Sequence, residues 1–247
     1  MALLLAYDGT GYAGWQVQPG ALTVQGLLQE ALAPLVEGER LPVGASRTDA
    51  GVHALGQVAT VDGIRAGLDA RAVRAALNAR LPPEVRALAA RAVPPDLDAR
   101  RSARLKRYGY LIARQPVLPP FLLRYAWHVP GRLDPAGLRG ALATLRGRHD
   151  FSAFCAAPGR EADPVCRVRA MHVRRRKSLV AIAISADRFL HHMVRNVVGS
   201  AVEVGRGARA VQWLPEVLAS RDRTRAGPTA PARGLTLLRV MYGPGPG

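Results

Sequence analysis

Along the 247-residue chain, short apolar runs alternate with stretches whose apolar positions recur every three or four residues. Leu3 to Tyr7 reads as a strand, followed by a Gly-rich turn from Asp8 to Gly14. Thr23 is placed to cap a helix that carries Val24, Leu27, Leu28, Ala31, Leu32 and Leu35 on one face. Gln57 to Val61 is a strand of partly β-branched character. Asp69 caps a second helix through Val73, Ala76, Leu77 and Leu81, and Pro82-Pro83 stop it.

Beyond the Pro-containing stretch Val93 to Asp98 the pattern resumes. Tyr108 to Ile112 is a short strand, and Asp134-Pro135 supply a cap and first-turn proline for a helix through Leu138, Ala141, Leu142 and Leu145. Val168 to Arg174 and Ser178 to Ser185 form a hairpin around the cluster Arg174-Arg175-Arg176-Lys177. A helix from about Leu190 to Val204 follows, with Gly205 placed to end it. Trp213, Leu214, Val217 and Leu218 mark a further short helix, and Leu235 to Tyr242 a last strand. The Gly-Pro tail from Gly243 to Gly247 has little to pack. Strands and helices mix without a regular βαβ alternation, and neighbouring strands favour antiparallel pairing, so the class is α+β. The expected division is an N-terminal lobe, 1–96, and a C-terminal lobe, 97–247.

Composition adds a partner. Nearly half of the residues are hydrophobic, which argues against a disordered chain, and the formal net charge is +17. All the basic residues but Lys106 and Lys177 are arginines. A field of this sign attracts polyanions, and arginine contacts to phosphate make binding salt-dependent, so nucleic acid is the favoured partner. The clusters Arg100-Arg101, Arg104 to Arg107, Arg174 to Lys177 and Arg221 to Arg225 are candidates for an RNA path, or solvated faces. The apolar stretch Ala2 to Ala6 is too short to span a membrane and lacks the basic flank of a signal peptide, so a soluble, cytoplasmic protein is expected. Cys155 and Cys166 lack the companions of a zinc site and are expected to be reduced, structurally incidental thiols.

The segment Gly44 to Val61 is the most unusual chemically. Arg47 and Asp49 share a polar turn followed by Ala50 and Gly51, small residues that let a bulky ligand approach the backbone. An arginine two residues from a carboxylate favours its ionised form, which suits a nucleophile or electrostatic stabiliser better than a general acid; a turn aspartate paired with arginine is the plainer reading. His191 and His192 are adjacent, so on a helix they point a quarter-turn apart and do not share a ligand face; no metal site is expected.

The segment Ser46-Arg47-Thr48-Asp49-Ala50-Gly51-Val52-His53-Ala54 closely resembles the catalytic motif of the tRNA pseudouridine synthase A family. Other blocks match in family order: Tyr7 to Gln16, Lys106 to Tyr110, Gly147 to Phe151, His191 to Asn196, and Gly234 to Leu237. One departure is Ser46, where the family usually has glycine; a positive φ there would suit serine poorly. The resemblance implies a pseudouridine synthase fold, two mixed lobes of mainly antiparallel sheet flanked by helices with the active site in a cleft between them. It implies isomerisation of uridine at positions 38, 39 and 40 of the tRNA anticodon stem-loop, by a homodimer, without cofactor or metal. Asp49 matches the catalytic aspartate, Tyr108 the tyrosine lying against the target base, Arg195 the basic partner of the aspartate, and Leu235 the apolar wall beside the uracil. Arg47 either steadies Asp49 or reaches into the RNA where the target nucleotide has left the stack, and the resemblance favours the second duty. Two rivals are a non-catalytic RNA-binding protein, which would lack the aspartate, and a hydrolytic ribonuclease, whose paired histidines with lysine or carboxylate cluster with metal are not evident.

Overall fold

The computed structural model describes residues 1–156 and 163–243, so Pro244 to Gly247 of the expected loose tail lie outside the described residues. In chain order the first elements are β1 (Ala2–Tyr7), α1 (Val24–Leu32), β2 (Val43–Gly44), β3 (His53–Thr60), α2 (Ala70–Arg80) and β4 (Val85–Arg91). They are followed by β5 (Leu105–Ala113), β6 (Trp127–His128), α3 (Pro135–Ala143), β7 (Gly147–Asp150), β8 (Val165–Arg176) and β9 (Leu179–Ala186). The last are α4 (Met193–Gly205), α5 (Trp213–Ser220) and β10 (Leu235–Met241). The class is α+β. The chain forms two compact units, Met1–Arg104 with Thr236–Gly247, and Leu105–Leu235.

In the first unit the strand order is β4-β1-β3-β10, with β2 also on β3. β1 pairs antiparallel with β3 and β4, whereas β10 runs parallel to β3, with Thr236 opposite His53 and Leu237 opposite Ala54. β1 follows the two-residue period of a half-buried strand: Leu3, Leu5 and Tyr7 are buried. Thr23 caps α1 by accepting from Gly26 N at 3.3 Å, and Asp69 caps α2 by accepting from Ala72 N at 2.7 Å. The helices bury Val24, Leu28 and Leu32, and Val73 and Leu77, as their apolar spacing requires.

β4 has no counterpart among the expected strands. Its sequence, VRALAAR, is rich in alanine and carries little strand signal. Pairing with β1 holds it on one side. On the other, the Asn78 amide of α2 donates to Ala87 O and accepts from Ala87 N, both at 2.9 Å, as a neighbouring strand would. β3 likewise starts four residues before the expected Gln57, because the added residues pair with β10 and β1.

The second unit orders its strands β5-β9-β8-β7, all antiparallel, with β6 parallel to β5. The β8–β9 hairpin turns at Lys177, whose φ of 53° is left-handed, between the paired residues Arg176 and Leu179. Asp134 caps α3 through Ala136 N and Gly137 N, both at 2.9 Å. β7, also absent from the expected elements, is a short polar strand paired with β8. Helix α4 starts at Met193 and not near Leu190, because His192 takes a left-handed φ of 59° that no helix continues through. Gly205 is the last residue of α4, but it does not act as a left-handed cap. A Cβ there would meet Leu133 Cδ1 at 2.7 Å and Leu138 Cγ at 2.9 Å, so glycine serves close packing, and positive φ falls on Gly207.

Candidate active site

In the first unit, the loop between β2 and β3 is fixed by alternate residues. Ser46 and Thr48 are buried, Arg47 is exposed and Asp49 is half-buried. Ser46 is held by the fully buried Gln57, whose Oε1 accepts from Ser46 N at 3.2 Å and whose Nε2 donates to Ser46 O at 2.7 Å. The same Nε2 reaches Tyr7 OH at 3.4 Å, and Tyr7 OH bonds Thr48 Oγ1 at 2.8 Å. Thr48 O accepts from Trp15 N at 3.0 Å, and Gly51 N donates to Tyr12 O at 3.3 Å. Gly14, with φ +99°, passes so close beneath the loop that a Cβ would lie 2.6 Å from Thr48 O. At the far end, His53 Nδ1 stands 3.0 Å from Gly9 N and 3.1 Å from Asp8 Oδ1. The backbone around Asp49 is therefore braced at both ends, and the residue itself is half-buried, so the position of its side chain is set by the loop.

The Ser46 departure introduces no backbone strain. Its φ is not positive; the left-handed position of this loop is Gly51, at φ +76°. The exposed Arg47 bears on Arg100: burial first, and then the Arg47 charge, push the Arg100 guanidinium down, with Asp98 opposing. Arg100 sits on a rigid turn in which Asp98 Oδ1 accepts from Arg100 N and Arg101 N, both at 2.7 Å. Two cations held near one another on a braced surface suit an anionic partner.

In the second unit, Tyr108 and Tyr110 lie two apart on β5, and both are buried. Tyr108 packs edge-on against Phe189 with ring centroids 5.1 Å apart. Tyr110 donates to Pro231 O at 2.7 Å, and Gly234 approaches its ring so closely that a Cβ would lie 2.6 Å away. Burial pushes the Tyr110 phenol up, opposed by the charges of Arg195 and Arg233, so this tyrosine is a neutral anchor. Arg195, in the first turn of α4, donates from Nε to Ala230 O at 2.8 Å, and Ala230 N returns a bond to Arg195 O at 3.1 Å. Leu235 is buried and follows the 3-10 turn Ala232–Gly234. The strap 227–235 thus ties together three expected residues of this unit: the strand of Tyr108 through Tyr110, Arg195 through Ala230, and Leu235 by chain continuity.

Sequence reasoning did not single out Gln57, Thr48 or Ala230 for these duties. Gln57 carries a signal that could have been used, since it is a polar amide on a strand whose neighbours Ala54, Val58 and Ala59 are apolar, and a buried amide needs partners. The histidines also differ from expectation. His191 and His192 precede α4, and the left-handed backbone at His192 brings their rings to 4.0 Å between centroids. The quarter-turn divergence holds only on a helix, so it does not apply.

The basic clusters divide. Arg174 to Lys177 are exposed at the β8–β9 turn. Arg221 pairs with Asp150 at 3.2 Å, and Arg223 donates into the protein, so the 221–225 cluster is partly structural. Cys155 and Cys166 are both buried. Among the described residues no helix is long and apolar enough to cross a membrane.

These features meet a consistent set of relatives. The model of a family described as tRNA pseudouridine synthase matches residues 4–100 and 141–243. A protein named tRNA pseudouridine synthase A from Myxococcus xanthus is 44% identical over 247 residues, which is 100% of this chain and 93% of that one. Proteins of the same name from Moorella thermoacetica and Methylobacterium nodulans are each 45% identical, covering 98% and 97% of this chain and 99% and 94% of their own. Matched from end to end at this identity, and carrying the braced Arg-Thr-Asp loop, the chain belongs to the tRNA pseudouridine synthase A family.

Proposed function

We propose that this tRNA pseudouridine synthase, an isomerase, converts uridine to pseudouridine at positions 38, 39 and 40 of the tRNA anticodon stem-loop, with Asp49 as its nucleophile. The reaction breaks the bond from N1 to the ribose C1′ and forms one from C5 to C1′; C5 loses a proton and N1 gains one. Nothing is oxidised or reduced. A carboxylate that attacks the ribose C1′ or the base C6 divides this exchange into two easier steps. The observation that carries the reading is the half-buried Asp49 on a loop locked at Ser46 and Thr48.

The remaining roles follow the same reading. Tyr108 lies against the target base and assists removal of the C5 proton. Arg195 supplies positive charge to the reacting carboxylate, and Leu235 an apolar wall for the uracil. Arg47, exposed on the same loop as Asp49, supports the gap left when the nucleotide is turned out of the stack. The enzyme works in the cytoplasm as a homodimer, with one tRNA contacting both subunits.

The test uses tRNA transcripts tritiated at uridine C5, because that hydrogen is released only when C5 bonds to the ribose. Wild-type protein should release tritium with no metal added, and should lose the signal when positions 38 to 40 hold cytidine. Asp49→Ala should bind tRNA and release none. Equal release by both proteins would remove Asp49 from the mechanism; binding without release by either would favour a non-catalytic RNA-binding role.

A further inference from the structure

The segment after α5 is joined to α4 residue by residue. Gly227 N donates to Ser200 Oγ at 2.8 Å, and Ser200 Oγ in turn donates to Asn196 O at 2.8 Å. Pro228 O lies directly against the Cα of Gly199, where any Cβ would collide with it. Thr229 Oγ1 donates to Asn196 Oδ1 at 2.6 Å, and Ala230 exchanges two bonds with Arg195. Asn196 is fully buried, and its Nδ2 donates to Phe154 O at 2.7 Å.

One side chain closes this network. Arg223 donates from Nη2 to Asn196 Oδ1 at 3.1 Å and to Thr229 Oγ1 at 3.0 Å, and from Nη1 to Gly227 O at 3.1 Å. It is presented by a short turn that Asp222 caps, accepting from Thr224 N at 2.8 Å. A planar guanidinium reaches three acceptors on two segments at once, whereas an ammonium on a flexible stem does not offer that fork. The bonds are charge-assisted and half-buried, where they are stronger than in water.

We infer that Arg223 is a positioning residue: by clamping Gly227 and Thr229 onto Asn196 it holds the Ala230 carbonyl in place and so fixes the guanidinium of Arg195. The inference rests on the proposed reading that Arg195 serves the reaction. Ala230 is one residue beyond Thr229, so a shift of the strap alters the Nε bond that orients Arg195. Because the same strap carries Pro231, the acceptor of Tyr110, its displacement also reaches the strand of Tyr108.

The experiment compares single-turnover tritium release, tRNA affinity and thermal melting for wild type, Arg223→Gln, Arg195→Lys and the double variant. All rates are taken where circular dichroism reports each protein folded. Arg223→Gln should slow release by roughly 10- to 100-fold, as a misplaced catalytic group does, with tRNA affinity changed by less than about twofold. In the double variant the rate should match that of the slower single variant, because both changes disable one device. Three outcomes overturn the inference: rate losses that multiply, weakened binding with an unchanged rate, or a rate that merely tracks the folded fraction. If Arg223→Gln does not fold, Arg223→Lys, which keeps the charge but not the fork, replaces it with the same expectations at smaller size. Asp49→Ala is assayed in parallel; release by that variant defeats the proposed function, whereas its silence beside a normal Arg223→Gln rate defeats this inference alone.

Discussion

The side-chain amide of Gln57 grips Ser46 from both sides, accepting its N–H at 3.2 Å and donating to its carbonyl at 2.7 Å. Three residues further on stands the half-buried Asp49. A fully buried amide that bonds a buried backbone segment is expensive to remove, because both backbone groups lose that partner. Gln57→Met keeps the length of the side chain and loses both polar atoms. It should destabilise the protein by about 2 to 4 kcal/mol, read by urea unfolding. It should also slow tritium release at temperatures where the variant remains folded. A stability loss with an unchanged rate would show that the grip serves only the fold.

Tyr108 separates ring from hydroxyl. The edge-on contact with Phe189 depends on the ring and survives in Tyr108→Phe. If the hydroxyl assists removal of the C5 proton, Tyr108→Phe binds tRNA normally and releases tritium more slowly. Tyr108→Leu should impair both stability and release. A Phe variant as fast as wild type would confine Tyr108 to packing against the base.

How much of this was legible depended on the distance between partners along the chain. The caps at Thr23, Asp69 and Asp134 were readable because each bonds a backbone N–H two or three residues away. The β8–β9 hairpin was readable for the same reason. β4 was not, because alanine-rich Val85–Arg91 becomes a strand only through β1 and the Asn78 amide. Asp49 stood out through its motif, yet its braces come from Gln57, 11 positions from Ser46, and Tyr7, 41 positions from Thr48. No local pattern encodes those pairings. The left-handed His192 was hidden because its flanking residues fit a helical period that the backbone does not follow.

The turn that presents Arg223 gives a pH dependence. Asp222 is held below the usual carboxylate range by the Thr224 hydroxyl at 2.7 Å and then by the Thr224 N–H at 2.8 Å; burial opposes these bonds weakly and the Arg225 charge adds to them. A depressed folded pKa means that its contribution is present above the unfolded value, about 3.9, and is lost as pH falls through the folded value. Asp222→Asn resembles the protonated acid. Its melting temperature should lie below that of wild type near neutral pH, and the two should converge between about pH 5 and pH 2. A difference that stays constant over this range would assign the effect to something other than the charge.

Salt should separate arginines that meet RNA from those that hold the protein together. Phosphate contacts release counterions, so log K for tRNA falls linearly with log salt concentration, by about 0.7 to 0.9 per phosphate contacted. Arg174 and Arg176 share one face of β8, both exposed beside the turn at Lys177 and apart from the buried network that engages Arg223. Replacing both with glutamine should reduce the salt slope by roughly one to two and weaken binding evenly across tRNA sequences. Arg221, although 71% exposed, is paired with Asp150. Arg221→Gln should leave the slope unchanged and reduce stability by less than about 1 kcal/mol. Equal slopes for wild type and the double variant would move the phosphate contacts to the braced Arg47 and Arg100 surface, where the same titration of Arg100→Gln would then find them.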